Sequence, residues 1–72
     1  MRVRVGPFSN RDKADVARDR LKGLGNRDIK KPFPVQEGDV WWVQASATSS
    51  REGAEGLAQV LRKQNIGGVV IV

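Results

Sequence analysis

Arg2, Arg4, Trp42, Gln44 and Ser46 are the residues whose types could do chemistry together. They fall at alternate positions of two strand-like segments, Met1 to Val5 and Val40 to Ala47. Alternation places them on one side of a pleated sheet. An indole supplies flat apolar area, while guanidinium, amide and hydroxyl groups supply directional hydrogen bonds. That combination suits sugar rings, whose C–H faces pack on aromatics while their hydroxyls and acetamides seek polar partners. It also suits single-stranded nucleic acid, whose bases stack on aromatics beside a basic groove. Each residue has a plainer reading as well. Trp42 can be covered by a loop or a neighbouring module, Gln44 can be a solvated strand residue, and Arg2 and Arg4 can be charges that guard an edge. A register slip of one residue would exchange Trp42 with Trp41.

Enzymatic chemistry is hard to build here. The chain has no histidine and no cysteine, which removes the Ser-His and Cys-His nucleophile arrangements and thiolate zinc sites. The acids Asp12, Asp15, Asp19, Glu52 and Glu55 fall in two helical segments, several of them in first turns, where carboxylates serve helix ends. None converges with another on the face of Arg2 and Gln44. The expectation is a binding module with no cofactor and no metal.

With 72 residues the chain is one domain, near the lower size at which a core supports itself. A net charge of +5 invites a nucleic acid, an acidic polymer or a membrane surface. Much of that excess lies on helix faces, at Lys13, Arg18, Arg20, Lys22, Arg62 and Lys63, where basic residues are ordinarily solvated. The apolar C-terminal run is too short to span a membrane, so no membrane insertion by this domain is expected. The chain opens on a strand-like segment without a signal peptide, which fits either a cytoplasmic protein or a module of a longer exported one.

The elements that must position the face follow in order. Met1, Val3 and Val5 alternate with Arg2 and Arg4 as a half-buried strand that Gly6-Pro7 ends. Ser9 caps a helix, with Asp12 as its capping-box acid. Ala14, Ala17, Leu21 and Leu24 form its apolar stripe, flanked by Val16, and Gly23 and Gly25 stop it. Ile29 to Val35 carries Pro32 and Pro34 around Phe33, which assigns it to a sheet edge or makes it partly loop. Gln36 to Asp39 reads as a turn. Val40 to Ala47 is the second clear strand, with Trp41, Val43 and Ala45 on the core side. Ser49-Ser50-Arg51-Glu52 reads as a capping box for a helix that buries Ala54, Leu57, Ala58 and Leu61 and ends around Gln64 or Asn65. Gly67-Gly68 turns into a last strand, Val69 to Val72.

The chain also repeats itself. A shift of about 40 positions lays Val3 on Val43, Ser9 on Ser49, Arg11 on Arg51, Ala14 on Ala54 and Leu21 on Leu61 without a gap. Two copies in the order β-α-β-β-α-β predict an α+β, ferredoxin-like two-layer sandwich. Its four-stranded antiparallel sheet carries both helices on one face. The first strand of each half lies centrally and the second at an edge.

With these residues in place, the chain resembles the SPOR domain, a sporulation-related, peptidoglycan-binding repeat family. Arg2-Val3-Arg4-Val5-Gly6-Pro7-Phe8-Ser9-Asn10-Arg11 and its Ala-and-Leu helix are similar to the family's second repeat, over 1–35. Trp42-Val43-Gln44, followed by Ser49-Ser50-Arg51-Glu52 and Ala54-Glu55, is similar to its first repeat, over 40–72. The order is the reverse of the family's. That suggests a circular permutant with Gln36 to Asp39 near the new join, or a chain that takes half-domains from neighbouring copies.

The resemblance implies a module that binds peptidoglycan glycan strands stripped of their stem peptides, and a monomer is the expectation set beside it. It implies targeting to the division septum, and a place in the periplasm or cell envelope within a longer exported or membrane-anchored protein. By carry-over, Gln44 matches the family's first-strand glutamine and Arg2 a sheet-face arginine before Val-Gly-Pro. Ser46 and Ala47 depart from the family's commoner Gly-Ser pair. The aromatic that often precedes the arginine by two residues would lie before Met1, and Trp42 partly substitutes for it. The expected glycan-binding set is therefore Arg2, Arg4, Trp42, Gln44 and Ser46. The alternative function is a ferredoxin-like module for single-stranded nucleic acid, and a third reading is a permuted scaffold that binds nothing. Against the nucleic-acid reading, the face lacks the paired aromatics that RNA-recognition sheets carry on both central strands.

Overall fold

A computed structural model of the chain describes residues 1–25, 27–29 and 31–72. Six elements follow in the expected order: β1 (Arg2–Phe8), α1 (Arg11–Gly23), β2 (Phe33–Glu37), β3 (Val40–Ala47), α2 (Arg51–Lys63) and β4 (Gly68–Ile71). The strands form one antiparallel sheet in the order β2-β3-β1-β4, with β1 and β3 central and β2 and β4 at the edges. Both helices share one core with the sheet. Val3, Val5, Val43 and Ala45 from the central strands meet Ala14, Ala17 and Leu21 of α1, and Ala54, Leu57 and Leu61 of α2. The predicted α+β sandwich is the observed fold.

Both helices start one residue later than the sequence suggests. Asn10, not Ser9, caps α1, its Oδ1 accepting a hydrogen bond from the Lys13 N–H at 2.9 Å. Ser50, not Ser49, caps α2, its Oγ accepting from the Gly53 N–H at 3.1 Å. The third helical position is then Lys13 or Gly53, so neither end closes a capping box. Each cap needs only a short side-chain oxygen on an extended residue, and Asn10 and Ser50 provide it. The α2 stripe falls as predicted. On α1, Leu24 is half-buried against the core and Val16 is exposed.

β1 runs past Gly6-Pro7 instead of ending there. The β1–β3 register shifts between Val5 and Phe8, and a proline at such an irregularity owes no ladder donor. Gly6 is required by space and by backbone. Its φ is +142°, and a Cβ there would lie 3.1 Å from the Trp42 ring and 3.1 Å from the Trp41 carbonyl oxygen. β2 is an edge strand that begins at Phe33, so the Ile29 to Val35 stretch is part strand and part loop; within that stretch residue 30 lies outside the described residues. β4 covers Gly68–Ile71, one residue earlier than predicted, and Val72 still exchanges two backbone hydrogen bonds with Arg2 at 2.8 Å each.

Candidate functional site

The helices cover one face of the sheet, and the other face holds the candidate site. Because Val3, Val5 and Val43 are buried in the core, the alternate residues Arg2, Arg4, Trp42 and Gln44 take the open side. Register builds a row across all four strands. Phe33 pairs with Gln44, Gln44 with Arg4, and Arg4 with Val70. A neighbouring row joins Val35 to Trp42, whose ring lies against Gly6, and Gly6 to Gly68.

Trp42 is half-buried on this face, as expected. Trp41 is packed against the core, with the Arg11 guanidinium 5.7 Å from its ring centroid. The two indoles therefore take the predicted sides of β3, and no slip exchanges them.

Arg4 is central but not free. It is 9% exposed, and its guanidinium is bound to the Glu37 carboxylate at 2.9 Å. Since β3 lies between β1 and β2, the Arg4 side chain must cross β3 to reach Glu37. On β3 the partner of Arg4 is Gln44 and the partner of Glu37 is Val40. The Arg4 Nε is buried without a partner. This pairing ties the central strand to the edge hairpin and commits the charge that the sequence offered to a ligand.

Ser46 departs in phase. The β1–β3 register shifts between Val3 and Arg4, so Ser46 pairs with the core residue Val3, and Ala47 pairs with Arg2. A β-bulge changes which residues of a strand share a face. Ser46 keeps its neighbourhood all the same. A groove of about 330 Å³ is lined by Lys31, Phe33, Gln44, Ala45, Ser46 and Ala47.

Two of those lining residues, Lys31 and Phe33, escape the sequence reading. Phe33 is 46% exposed, a large aromatic left open beside Gln44. The signal is present: Lys31, Phe33 and Val35 alternate, while Pro32 and Pro34 occupy the other side, Pro32 buried and Pro34 paired with Val43. The prolines weaken strand propensity and hide that alternation. Arg2 is exposed at the groove's other flank, through its partner Ala47. Among the described residues, neither Arg2 nor Lys31 has an ion-pair partner.

Among the described residues no group of His, Cys, Asp or Glu could hold a metal ion, and no helix is long and apolar enough to cross a membrane. From the described residues, the face can offer ring stacking, amide hydrogen bonding and the two cations Arg2 and Lys31. In comparison with known families, residues 1–36, half of the chain, match the SPOR domain. No curated protein and no solved structure matches.

Proposed function

The chain belongs to the SPOR-domain family, a family of non-catalytic, peptidoglycan-binding domains of cell-envelope proteins, and from that premise we propose that its open sheet face binds glycan strands stripped of stem peptides. In this reading residues 1–72 form one monomeric domain that directs a longer envelope protein to division septa. The observation that carries it is the groove in which the Gln44 amide stands beside the exposed Phe33 ring. An aromatic next to an amide matches a sugar that carries an acetamide, with C–H bonds on the ring and donors and acceptors at its edge. Gln44 and Ser46 bond the sugar's polar groups, Phe33 and Trp42 supply apolar area, and Arg2 reaches over from β1. Arg4 holds the face in shape through Glu37.

The test is binding to purified peptidoglycan sacculi before and after an amidase removes the stem peptides. Retention should rise on stripping, and should fall for Gln44→Ala and Arg2→Ala while both variants keep the parent's circular dichroism. Equal retention by both variants would move the site elsewhere. A single-stranded RNA competitor included in the same experiment should leave retention unchanged, because β1 presents Arg2, Arg4 and Gly6 to this face and offers no aromatic for a second base.

A further inference from the structure

The groove has more charge than a neutral sugar needs. Lys31 lines it from the β2 side, and Arg2 flanks it from β1 through its partner Ala47. Both are exposed, and neither meets an acid among the described residues. Arg4, by contrast, is already neutralised by Glu37. Among the described residues the open face therefore separates the spent cation Arg4 from the available Lys31 and Arg2, which stand on either side of β3. Adjacent strands lie about 4.8 Å apart, so β1 and β2 are about 10 Å apart across the groove.

We infer that Lys31 and Arg2 are specificity-determining residues that recognise carboxylates on the glycan. The inference rests on the glycan reading and deepens it. A stem peptide is joined to the sugar's lactyl ether through an amide, and hydrolysis of that amide leaves a carboxylate in its place. A neutral amide becomes an anion that a lysine ammonium or an arginine guanidinium binds by a charge-assisted hydrogen bond. Selection of stripped strands then has an attractive component, beyond the room gained when the peptide departs. Gln44 and Phe33 hold the sugar that bare and substituted strands share, while Lys31 and Arg2 read the group that differs.

The experiment measures the affinity of the domain for amidase-stripped strands and for the same strands with their carboxylates reduced to alcohols. Reduction should lower the parent's affinity about tenfold, the effect of one good charge-assisted bond. Lys31→Gln and Arg2→Gln should each bind stripped strands more weakly than the parent and discriminate less against reduced ones. Arg20→Gln, which removes the same charge from an exposed position of α1, should match the parent. Equal affinity of the parent for both strands would overturn the carboxylate inference and leave the glycan reading standing. An equal loss in Arg20→Gln would overturn it too, since net charge alone would then be acting. A folded parent that binds neither strand would overturn both.

Discussion

The two halves of the domain share a backbone and differ in what they show to solvent. Their helices, Arg11–Gly23 and Arg51–Lys63, begin and end 40 residues apart. So do their caps, Asn10 and Ser50, and the ion pairs of their first turns, Arg11–Asp15 and Arg51–Glu55. Arg4 and Gln44, equivalent by the same shift, pair with each other at the centre of the sheet. There the symmetry ends. One of the two is nearly buried and bound to Glu37, and the other borders the groove. The link after α1, 24–32, is also longer than the link after α2, 64–67, and it delivers Lys31 and Phe33 to the open face. What repeats is what folds; the groove on the open face comes from what does not repeat.

The core should break that equivalence most strongly. α1 buries Ala14, Ala17 and Leu21, whereas α2 buries Leu57 besides Ala54, Ala58 and Leu61. Leu21 and Leu61 are both fully buried, and replacing either by alanine should cost about 2–5 kcal/mol. For so small a domain that approaches the whole stability. Leu21→Ala should be the worse of the two, because α1 has no second buried leucine. Urea unfolding of both variants checks this, and a milder Leu21→Ala would mean that the halves carry the core equally.

Arg4 and Gln44 should separate stability from binding. Arg4→Ala removes a largely buried charge-assisted bond but leaves Glu37, whose side chain is 56% exposed and can rehydrate. The expected loss is about 1–2 kcal/mol. Gln44→Ala should change stability by less than about 0.5 kcal/mol, as a half-exposed strand residue does. It should lower retention on stripped sacculi by more than Arg4→Ala does. Thermal melts and sacculus binding on the same preparations decide it. The idea fails if Arg4→Ala abolishes retention in a domain as stable as the parent.

The legibility of the chain divides along the same line. Periodicity made the strands, the helices and the strand order readable, because burial at positions such as Val3, Val43, Ala54 and Leu61 leaves a local pattern. The open face was legible at Trp42 and Gln44, which only needed alternation. It was not legible at Arg4, whose fate depends on Glu37 reaching it across β3, and Ser46 lines the groove through a register shift that alternation does not show. Both are pairing facts between segments distant in sequence. Phe33 and Lys31 sat beside prolines that masked a strand.

Repeat order offers a gentler perturbation. We propose that the halves are interchangeable in connectivity, since Arg2 and Val72 already exchange both backbone hydrogen bonds of a hairpin pair. Joining Val72 to Met1 through a short turn, and opening the chain at the Gly38–Asp39 turn, should give a folded domain. Its stability should lie within about 1 kcal/mol of the parent, because closing a short loop between adjacent strands costs little. Amide hydrogen exchange should show β1 and β3 protected in both connectivities. Loss of protection in β1 alone would show that the present order is needed to hold it.

The smallest effects test the symmetry itself. Asn10→Ala and Ser50→Ala should each cost about 1 kcal/mol, since each leaves a first-turn N–H without its side-chain acceptor. Exchanging the caps, Asn10→Ser and Ser50→Asn, should cost no more than about 0.3 kcal/mol, because both side chains place an oxygen over the same N–H. Ser9→Ala and Ser49→Ala should cost still less, as neither residue is the cap. Chemical unfolding of the six variants resolves these differences. If an exchange costs as much as a deletion at one end only, the two helix starts differ in more than their residue names. The equivalence of the halves would then stop at the backbone trace.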